Sequence, residues 1–238
     1  MEQPPGFTKC DANGNAFVCK LNKALYGLKQ APRAWFAKLS TYLHTLGFYA
    51  SKANPCLFIN KTEDHITYLL VYVDDLVITG SNEGLLQGFI QQMSTAFSLK
   101  DLGELSFFLG IEFHRSSNGI HLTQKKYIHN FLSKTQMVEA HAYASPMAAN
   151  VKLFANDSKL FSDPKMYRSI VGSLQYLCYT RPDIAFTVNK LSQFLHEPTI
   201  KQWECVKRLL RDLNGTSCHG LLIKPVQEFS IQTYSDSD

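Results

Sequence analysis

The chain has 238 residues, 45% hydrophobic and 18% charged, a composition that excludes disorder, collagen and coiled coil and suffices for one large core or two modest ones. Its net charge of +4 hides a segregation: Lys9 to Lys52 holds seven basic residues and one acid, whereas Asp74 to Glu112 holds six acids and one lysine, which suits a polyanion held beside a cation and equally suits two solvated surfaces. No apolar run reaches the roughly 18 residues of a membrane helix, and the start Met1-Glu-Gln-Pro-Pro-Gly-Phe7 lacks the basic-then-apolar order of a secretory signal.

Residues 1–24 are polar and punctuated by Gly and Pro; Asp11 to Gly14 reads as a hairpin turn and Ala16 to Leu21 as its returning strand. Pro32 suits a first helical position. Trp35, Phe36, Leu39, Tyr42, Leu43 and Leu46 then fall on one helical face, which Gly47 ends. Cys56 to Ile59 and Ile66 to Val73 read as strands, and Leu76 to Thr79 as the return of a hairpin with Asp74 and Asp75 at its turn. Asn82 caps a helix with Leu85, Leu86, Phe89, Ile90 and Met93 on one face. Leu105 to Phe113 reads as strand, Asn118-Gly119 as a turn and Ile120 to Leu122 as a further strand.

The second half turns helical. Thr123 is read as the cap of a helix carrying Tyr127, Ile128, Phe131 and Leu132. A long loop from about Ala140 to Asp163 follows, of a length that hints at a functional or mobile segment. Asp163-Pro164 opens a helix with Tyr167, Ile170, Val171, Leu174 and Leu177 inward; Arg181-Pro-Asp183 breaks it and starts another with Ile184, Val188, Leu191 and Leu195. Thr199 caps a third with Trp203, Val206, Leu210 and Leu213, and Gly215 ends it. Leu221 to Lys224 and Phe229 to Tyr234 read as closing strands. A non-repeating mixture of this kind is α+β. The six cysteines include no Cys-x-x-Cys pair and read as reduced core residues, and the eight histidines supply no zinc spacing.

Two adjacent carboxylates at the end of an apolar strand repel each other, and a plain hairpin is made more cheaply with Asn-Gly or Asp-Gly. A divalent cation removes the penalty: Mg²⁺ takes one or two protein carboxylates together with substrate phosphates. A solvated acidic turn is the competing reading of the dipeptide alone.

Around those carboxylates the chain resembles a known family. Tyr72-Val-Asp-Asp75 resembles the catalytic box of reverse transcriptases. Leu25-Tyr-Gly-Leu-Lys-Gln-Ala-Pro-Arg-Ala-Trp35 is similar to the nucleotide-side motif of the copia-type LTR-retrotransposon enzymes, and Phe107-Phe-Leu-Gly-Ile-Glu-Phe113 to their primer-grip segment. Tyr167 to Leu177, Thr180 to Ala185 and Tyr234 to Asp238 match the same family in order and spacing. The resemblance implies an α+β fold: a partial polymerase palm over 1–115 (an antiparallel sheet with helices on one face), a helical thumb and connection region over 116–215, and the truncated start of a ribonuclease H-like domain over 216–238.

It also implies RNA-directed DNA synthesis, the addition of deoxynucleotides to a primer on an RNA or DNA template, with two Mg²⁺ or Mn²⁺ ions. Asp74 and Asp75 are then the catalytic metal-binding carboxylates. Tyr72 and Val73 touch the primer end, as do Leu109, Gly110 and Glu112. Tyr26 and Gly27 lie against the incoming nucleotide, and Lys29 and Arg33 contact phosphate or template. Lys100 is a candidate general acid for the leaving pyrophosphate. Lys29 and Lys100 are also readable as surface lysines, and Asp236, a ribonuclease H remnant, as part of a solvated terminus. Trp35, Tyr176 and Trp203 are expected in cores.

In the family a first aspartate, which bridges both ions, lies upstream of the segment matching Pro4 to Phe7, together with the fingers region; neither has a counterpart here. The chain alone is therefore expected to be inactive, because one hairpin cannot hold two unneutralised ions at the phosphates. The alternatives are a non-catalytic nucleic-acid-binding module and a subunit completed by the upstream part of the polyprotein. The expected location is cytoplasmic, in the virus-like particle of the intact family, or nuclear, with no membrane partner. Loss of an upstream strand is expected to leave an aggregation-prone edge beside Ile66 to Val73.

Overall fold

The computed structural model describes residues 1–22, 25, 27–226, 230–231 and 233. The chain divides into two compact units, Met1–Gly103 and Glu104–Asp238. Among the described residues each contains one four-stranded antiparallel sheet, and six α-helices are distributed between them. The fold is α+β, as the residue pattern requires.

In the first unit the order is α1 (Ala31–Thr45), β1 (Tyr49–Ala50), β2 (Leu57–Lys61), β3 (Ile66–Tyr72), β4 (Asp75–Gly80) and α2 (Glu83–Phe97). The strands pair in sequence order, β1-β2-β3-β4. Period-two alternation puts Leu69 and Val71 of β3 inward and leaves Tyr68 and Tyr72 exposed. Leu39 and Leu43 of α1, Phe48, Phe58 of β2 and Met93 of α2 complete the core. Pro32 opens α1, and Gly47, at φ +82°, reverses the chain so that the Phe48 N–H bonds the Leu43 carbonyl at 3.0 Å. The Asn82 side chain caps α2 by accepting from the Leu85 N–H. Leu85 itself is exposed, so the buried face of α2 is narrower than the apolar spacing suggests.

The amino-terminal hairpin is only partly formed. Asp11 accepts from the Asn13 and Asn15 N–H groups at 2.9 and 2.8 Å, which makes the expected turn. The returning strand from Ala16 to Leu21 is absent, with a lone bridge between Cys10 and Ala16 in its place. The Phe17 N–H bonds the Lys9 carbonyl at 2.9 Å, and the Gln3 side chain inserts beside it, donating to the Lys9 and Phe17 carbonyls and accepting from the Lys9 N–H, so a side chain takes the place of the return bond of that pair.

The second unit contains β5 (Phe107–Phe108), β6 (Ile111–Ser116), β7 (Gly119–Thr123), α3 (Lys125–Lys134), α4 (Pro164–Leu177), a 3₁₀ turn (Pro182–Ile184), α5 (Ala185–Ser192), α6 (Ile200–Gly215) and β8 (Gly220–Ile223). Its sheet runs β5-β6-β7-β8. Three expectations fail here. Leu105 to Phe113 is not one strand, because Phe108 pairs with Ile111 and Leu109-Gly110 forms a two-residue turn. The next turn is Ser117-Asn118 rather than Asn118-Gly119, since Ser116 pairs with Gly119. Gly119 is required for a different reason: a Cβ there would lie 2.1 Å from the Ile223 carbonyl oxygen of β8. Thr123 ends β7 and does not cap α3.

The inward stripes of α3 to α6 meet as read, around Ile128, Tyr167, Leu174, Leu177, Ile184, Val188, Leu191, Val206, Leu210 and Leu213. Asp163 caps α4 through the Met166 N–H at 2.9 Å. Thr199 and Gln202 form a reciprocal capping box on α6. The long loop before α4 has no regular structure, yet it is tied along the length of α6. Gln202 donates to the Phe154 carbonyl, Arg208 to Ser145, Arg211 to the His141 carbonyl, and Asn214 to the Val138 and Ala140 carbonyls. Asp157 accepts from the Thr199 hydroxyl at 2.8 Å and pairs with Lys201 at 3.4 Å. Burial works to raise its carboxyl, and these partners hold it below the ordinary value. The segment read as functional or mobile is thus tied to the side chains of α6 along its length. The closing strand from Phe229 to Tyr234 is expected at residues largely outside those described.

Candidate functional site

Tyr72 pairs with Asp75 across the β3–β4 hairpin, so the loop is two residues long and consists of Val73 and Asp74. Asp74 sits in the turn, while Asp75 is the first residue of β4. The expectation placed both aspartates at the turn; the register moves it one residue toward the amino terminus. Val73 has φ +51°. A left-handed first position is what a type II′ turn requires, and glycine normally fills it. A β-branched residue there is strained, at a cost of about 1–3 kcal/mol. Val73 is 62% exposed, so little burial offsets that cost. Both carboxylates are exposed.

A second hairpin shows the same signature. Leu109 and Gly110 join β5 to β6 with φ +48° and +78°, positive at both central positions as in a type I′ turn. The Tyr176 hydroxyl of α4 donates to the Leu109 carbonyl, and the same hydroxyl would lie 3.5 Å from a Cβ on Gly110, in ordinary van der Waals contact. Tyr127 packs edge-on against Tyr176, with centroids 5.3 Å apart. Among the described non-glycine residues with positive φ, Ser98 is the C-cap of α2 and Gln136 follows the end of α3, and Asn156 is of a type that tolerates this conformation. That leaves Val73 and Leu109, one at the apex of each motif hairpin.

Glu112 explains the missing cap of α3. Its Oε1 accepts from the Lys126 N–H at 2.8 Å, in the first turn of α3, where an anion satisfies an orphan donor and opposes the helix dipole. Its Oε2 lies 3.6 Å from His114 Nε2. The Lys126 ammonium stands 5.9 Å from the centre of the Phe107 ring, and Phe107 is the strand partner of Glu112. Within the second unit, Leu109, Gly110 and Glu112 are therefore held by α3 and α4.

In the first unit, Gly27 has φ +89°, and Lys29 and Arg33 are exposed at the start of α1. That helix has neither a side-chain cap nor an acid in its first turn. Two cations at a helix start with no acidic partner make an electropositive end, a setting that favours anions. Lys100 is exposed after α2. Tyr26 and Asp236 lie outside the described residues.

The structure thus brings Tyr72, Val73, Asp74 and Asp75 together in one hairpin, and Leu109, Gly110 and Glu112 in another. Tyr176, expected only as core, is the contact that composition and spacing missed; the signal available was its hydroxyl, since a packed tyrosine needs a polar partner. Trp203 is half-buried and stacks on Phe161 at 4.7 Å, and Trp35 packs against the core of the first unit. Among the described residues no three His, Cys, Asp or Glu side chains are gathered for a metal ion, and no described helix is long and apolar enough to cross a membrane.

A strained hairpin presenting adjacent carboxylates on an antiparallel sheet defines a class of carboxylate-bearing α+β proteins, and the comparisons narrow it. The family described as reverse transcriptase (RNA-dependent DNA polymerase) matches residues 1–149. The chain belongs to that family. It is 48% identical over 238 residues to the retrovirus-related Pol polyprotein from transposon RE1 of Arabidopsis thaliana, covering 100% of this chain and 16% of that protein. To the corresponding polyprotein from transposon RE2 it is 47% identical with the same coverage. A putative transposon Ty5-1 protein of Saccharomyces cerevisiae is 33% identical over 239 residues, covering 100% of this chain and 77% of that protein. The chain is thus a reverse transcriptase-domain fragment of copia-type retrotransposon Pol, and it spans 16% of the length of the RE1 and RE2 relatives. No solved structure matches it.

Proposed function

We propose that this chain carries part of the machinery of RNA-directed DNA synthesis, with Asp74 and Asp75 as its metal-binding carboxylates. The observation that carries the reading is Val73, a β-branched residue at φ +51° at the apex of the hairpin that presents both acids. Backbone strain of this kind persists where the surroundings over-determine it, and it concentrates at functional positions. On the same reading, residues 1–115 are palm, 116–215 thumb and connection, and 216–238 the start of a ribonuclease H-like domain.

Two exposed carboxylates fit the one or two that Mg²⁺ takes from a protein. They fit one ion; a second ion, about 3.5–4 Å away in two-metal sites, needs donors that the described residues do not gather. When bound, the metal neutralises phosphate charge and polarises the attacking hydroxyl. The rest falls to the chain. Tyr72 and Val73 fix the height of the acids at the primer end. Leu109, Gly110 and Glu112 hold the primer strand. Gly27 and Tyr26 admit the nucleotide, with Lys29 and Arg33 on its phosphates. Lys100 protonates the departing pyrophosphate. Template, primer and deoxynucleotides are the implied partners.

The polypeptide of these 238 residues is proposed not to extend primers by itself, because its hairpin supplies donors for one ion. Two measurements test the two halves. Mn²⁺ titration followed by NMR is expected to broaden residues 72–76 first, and Asp74→Asn with Asp75→Asn to abolish it; broadening elsewhere with the hairpin untouched overturns the metal assignment. Primer extension by the chain alone is expected to give no product; template-dependent incorporation that Asp74→Asn removes refutes the inactivity.

A further inference from the structure

The loop between α3 and α4 separates two grooves in the second unit. One, of about 640 Å³, lies between the loop and α5 and is lined by Lys152, Phe154, Phe186 and Lys190. The other, of about 680 Å³, lies between the loop and α6 and is lined by Tyr143, Lys207, Arg208 and Arg211. Ala148 and Val151 line both, so the grooves adjoin. None of these side chains belongs to the motifs that carry the reading above.

The first groove exposes aromatic rings that a core would bury. Phe186 is 74% and Phe154 61% exposed. Lys190 follows Phe186 by one helical turn and so shares its side of α5. The second groove is cationic and pre-set. Tyr143 packs against two guanidinium groups, with Arg208 and Arg211 at 4.4 and 4.3 Å from its ring centre. The loop fixes those same groups, Arg208 through the Ser145 hydroxyl at 2.8 Å and Arg211 through the His141 carbonyl at 2.6 Å. The linings of the two grooves hold Lys152, Lys190, Lys201, Lys207, Arg208 and Arg211 against Asp183, Glu139 and Glu204, and Lys201 is already paired with Asp157 at 3.4 Å. Asp183 is itself paired with Arg181 at 2.7 Å. Exposed rings beside fixed cations form a stacking platform next to a cationic track, and this chemistry takes unpaired bases on the rings and phosphates on the cations. A base-paired duplex hides its base faces and has no use for exposed phenyl rings.

We propose that the second unit binds a single-stranded nucleic acid segment across these adjoining grooves, with bases stacked on Phe154 and Phe186 and the backbone held by the cations of α6. The choice of nucleic acid as ligand rests on the family reading; the site itself is independent of Asp74 and Asp75. Pre-ordered arginines lose little freedom on binding, which favours affinity from a small contact.

The test uses the full chain and fluorescein-labelled 12-nucleotide RNA and DNA strands, with a blunt duplex of the same sequence as control. Phe154→Ala with Phe186→Ala is expected to weaken single-strand binding at least tenfold while leaving its salt dependence and the duplex control unchanged. Lys190→Gln with Lys207→Gln is expected to lower the slope of log K against log salt by about one to two, with unchanged circular dichroism. Equal single-strand affinity of the phenylalanine double variant and the unsubstituted chain overturns the proposal, as does absence of single-strand binding altogether. Self-association abolished by that variant, with RNA affinity unchanged, also overturns it and assigns the rings to a second copy of the chain. None of these outcomes touches the hairpin reading, which stands or falls on the Mn²⁺ titration.

Discussion

Val73 is the residue on which the first hairpin turns. Its φ of +51° costs about 1–3 kcal/mol, and glycine relieves that strain while losing about 0.5–1 kcal/mol to the flexibility of the unfolded chain. Val73→Gly is therefore expected to stabilise the first unit by about 1 kcal/mol. The chain has two tryptophans, Trp35 in the first unit and Trp203 in the second, so urea unfolding by fluorescence in a Trp203→Phe background reports the first unit alone. A destabilised glycine variant contradicts the strain account. The sequence made the paired acids legible, because β-branched alternation runs up to them. It hid the turn, because Val73 belongs by propensity to the strand and only the register of Tyr72 with Asp75 shows where the ladder stops. Leu109 misled for the same reason: leucine is not turn chemistry, so a hairpin read as one strand.

At the scale of elements, the tightest joint is Arg181, between α4 and α5. It is 1% exposed. It donates to Asp183 at 2.7 Å and to the Thr216 carbonyl at 3.0 Å, and lies 3.9 Å from the nearly buried Asp212 of α6. A cation at the carboxyl end of α6 opposes the helix dipole and satisfies the carbonyl of its cap residue Thr216. Arg181 holds the Asp183 carboxyl below its ordinary value, whereas burial pushes that of Asp212 up despite Arg181. Arg181→Met leaves Asp212 buried without its main compensating charge, a loss of about 3–5 kcal/mol at pH 7. The sign of the pH dependence follows from the raised group: protonating Asp212 removes the penalty, so the defect is largest at neutral pH and shrinks as pH falls toward 4. Equilibrium unfolding of the variant from pH 7 to 4 checks this, and a defect constant with pH contradicts it. The helices themselves were legible because their apolar stripes and caps are local. What joins them was not. The Glu112 cap on α3 and the side chains by which α6 fixes the long loop connect residues 14 to 76 positions apart, beyond any local pattern.

For the whole molecule, the two sheets decide where the surface is exposed to other chains. In the first sheet β3 is covered on both sides, by β2 and β4, so the longest apolar strand is not itself an edge. Among the described residues β4 pairs only with β3, and its Leu76, Val77 and Ile78 are incompletely buried. A six-residue edge strand with Leu76, Val77 and Ile78 at its centre is a template for another strand, and natural edges are blunted by inward charges, lysine or proline. β4 has its charge at Asp75, at one end, and none along its length. The chain is therefore expected to self-associate as concentration rises, through this edge. Thr79 is exposed and faces Tyr68 across the pair, so Thr79→Lys places a cation on the edge without entering the core and within reach of an aromatic ring. Sedimentation velocity over a hundredfold range of concentration is expected to show the unsubstituted chain shifting to larger species and the lysine variant remaining monomeric, with unchanged circular dichroism. Association that persists undiminished in the variant places the sticky surface elsewhere, and an unsubstituted chain that is monomeric throughout shows that the ends of this short strand already protect it.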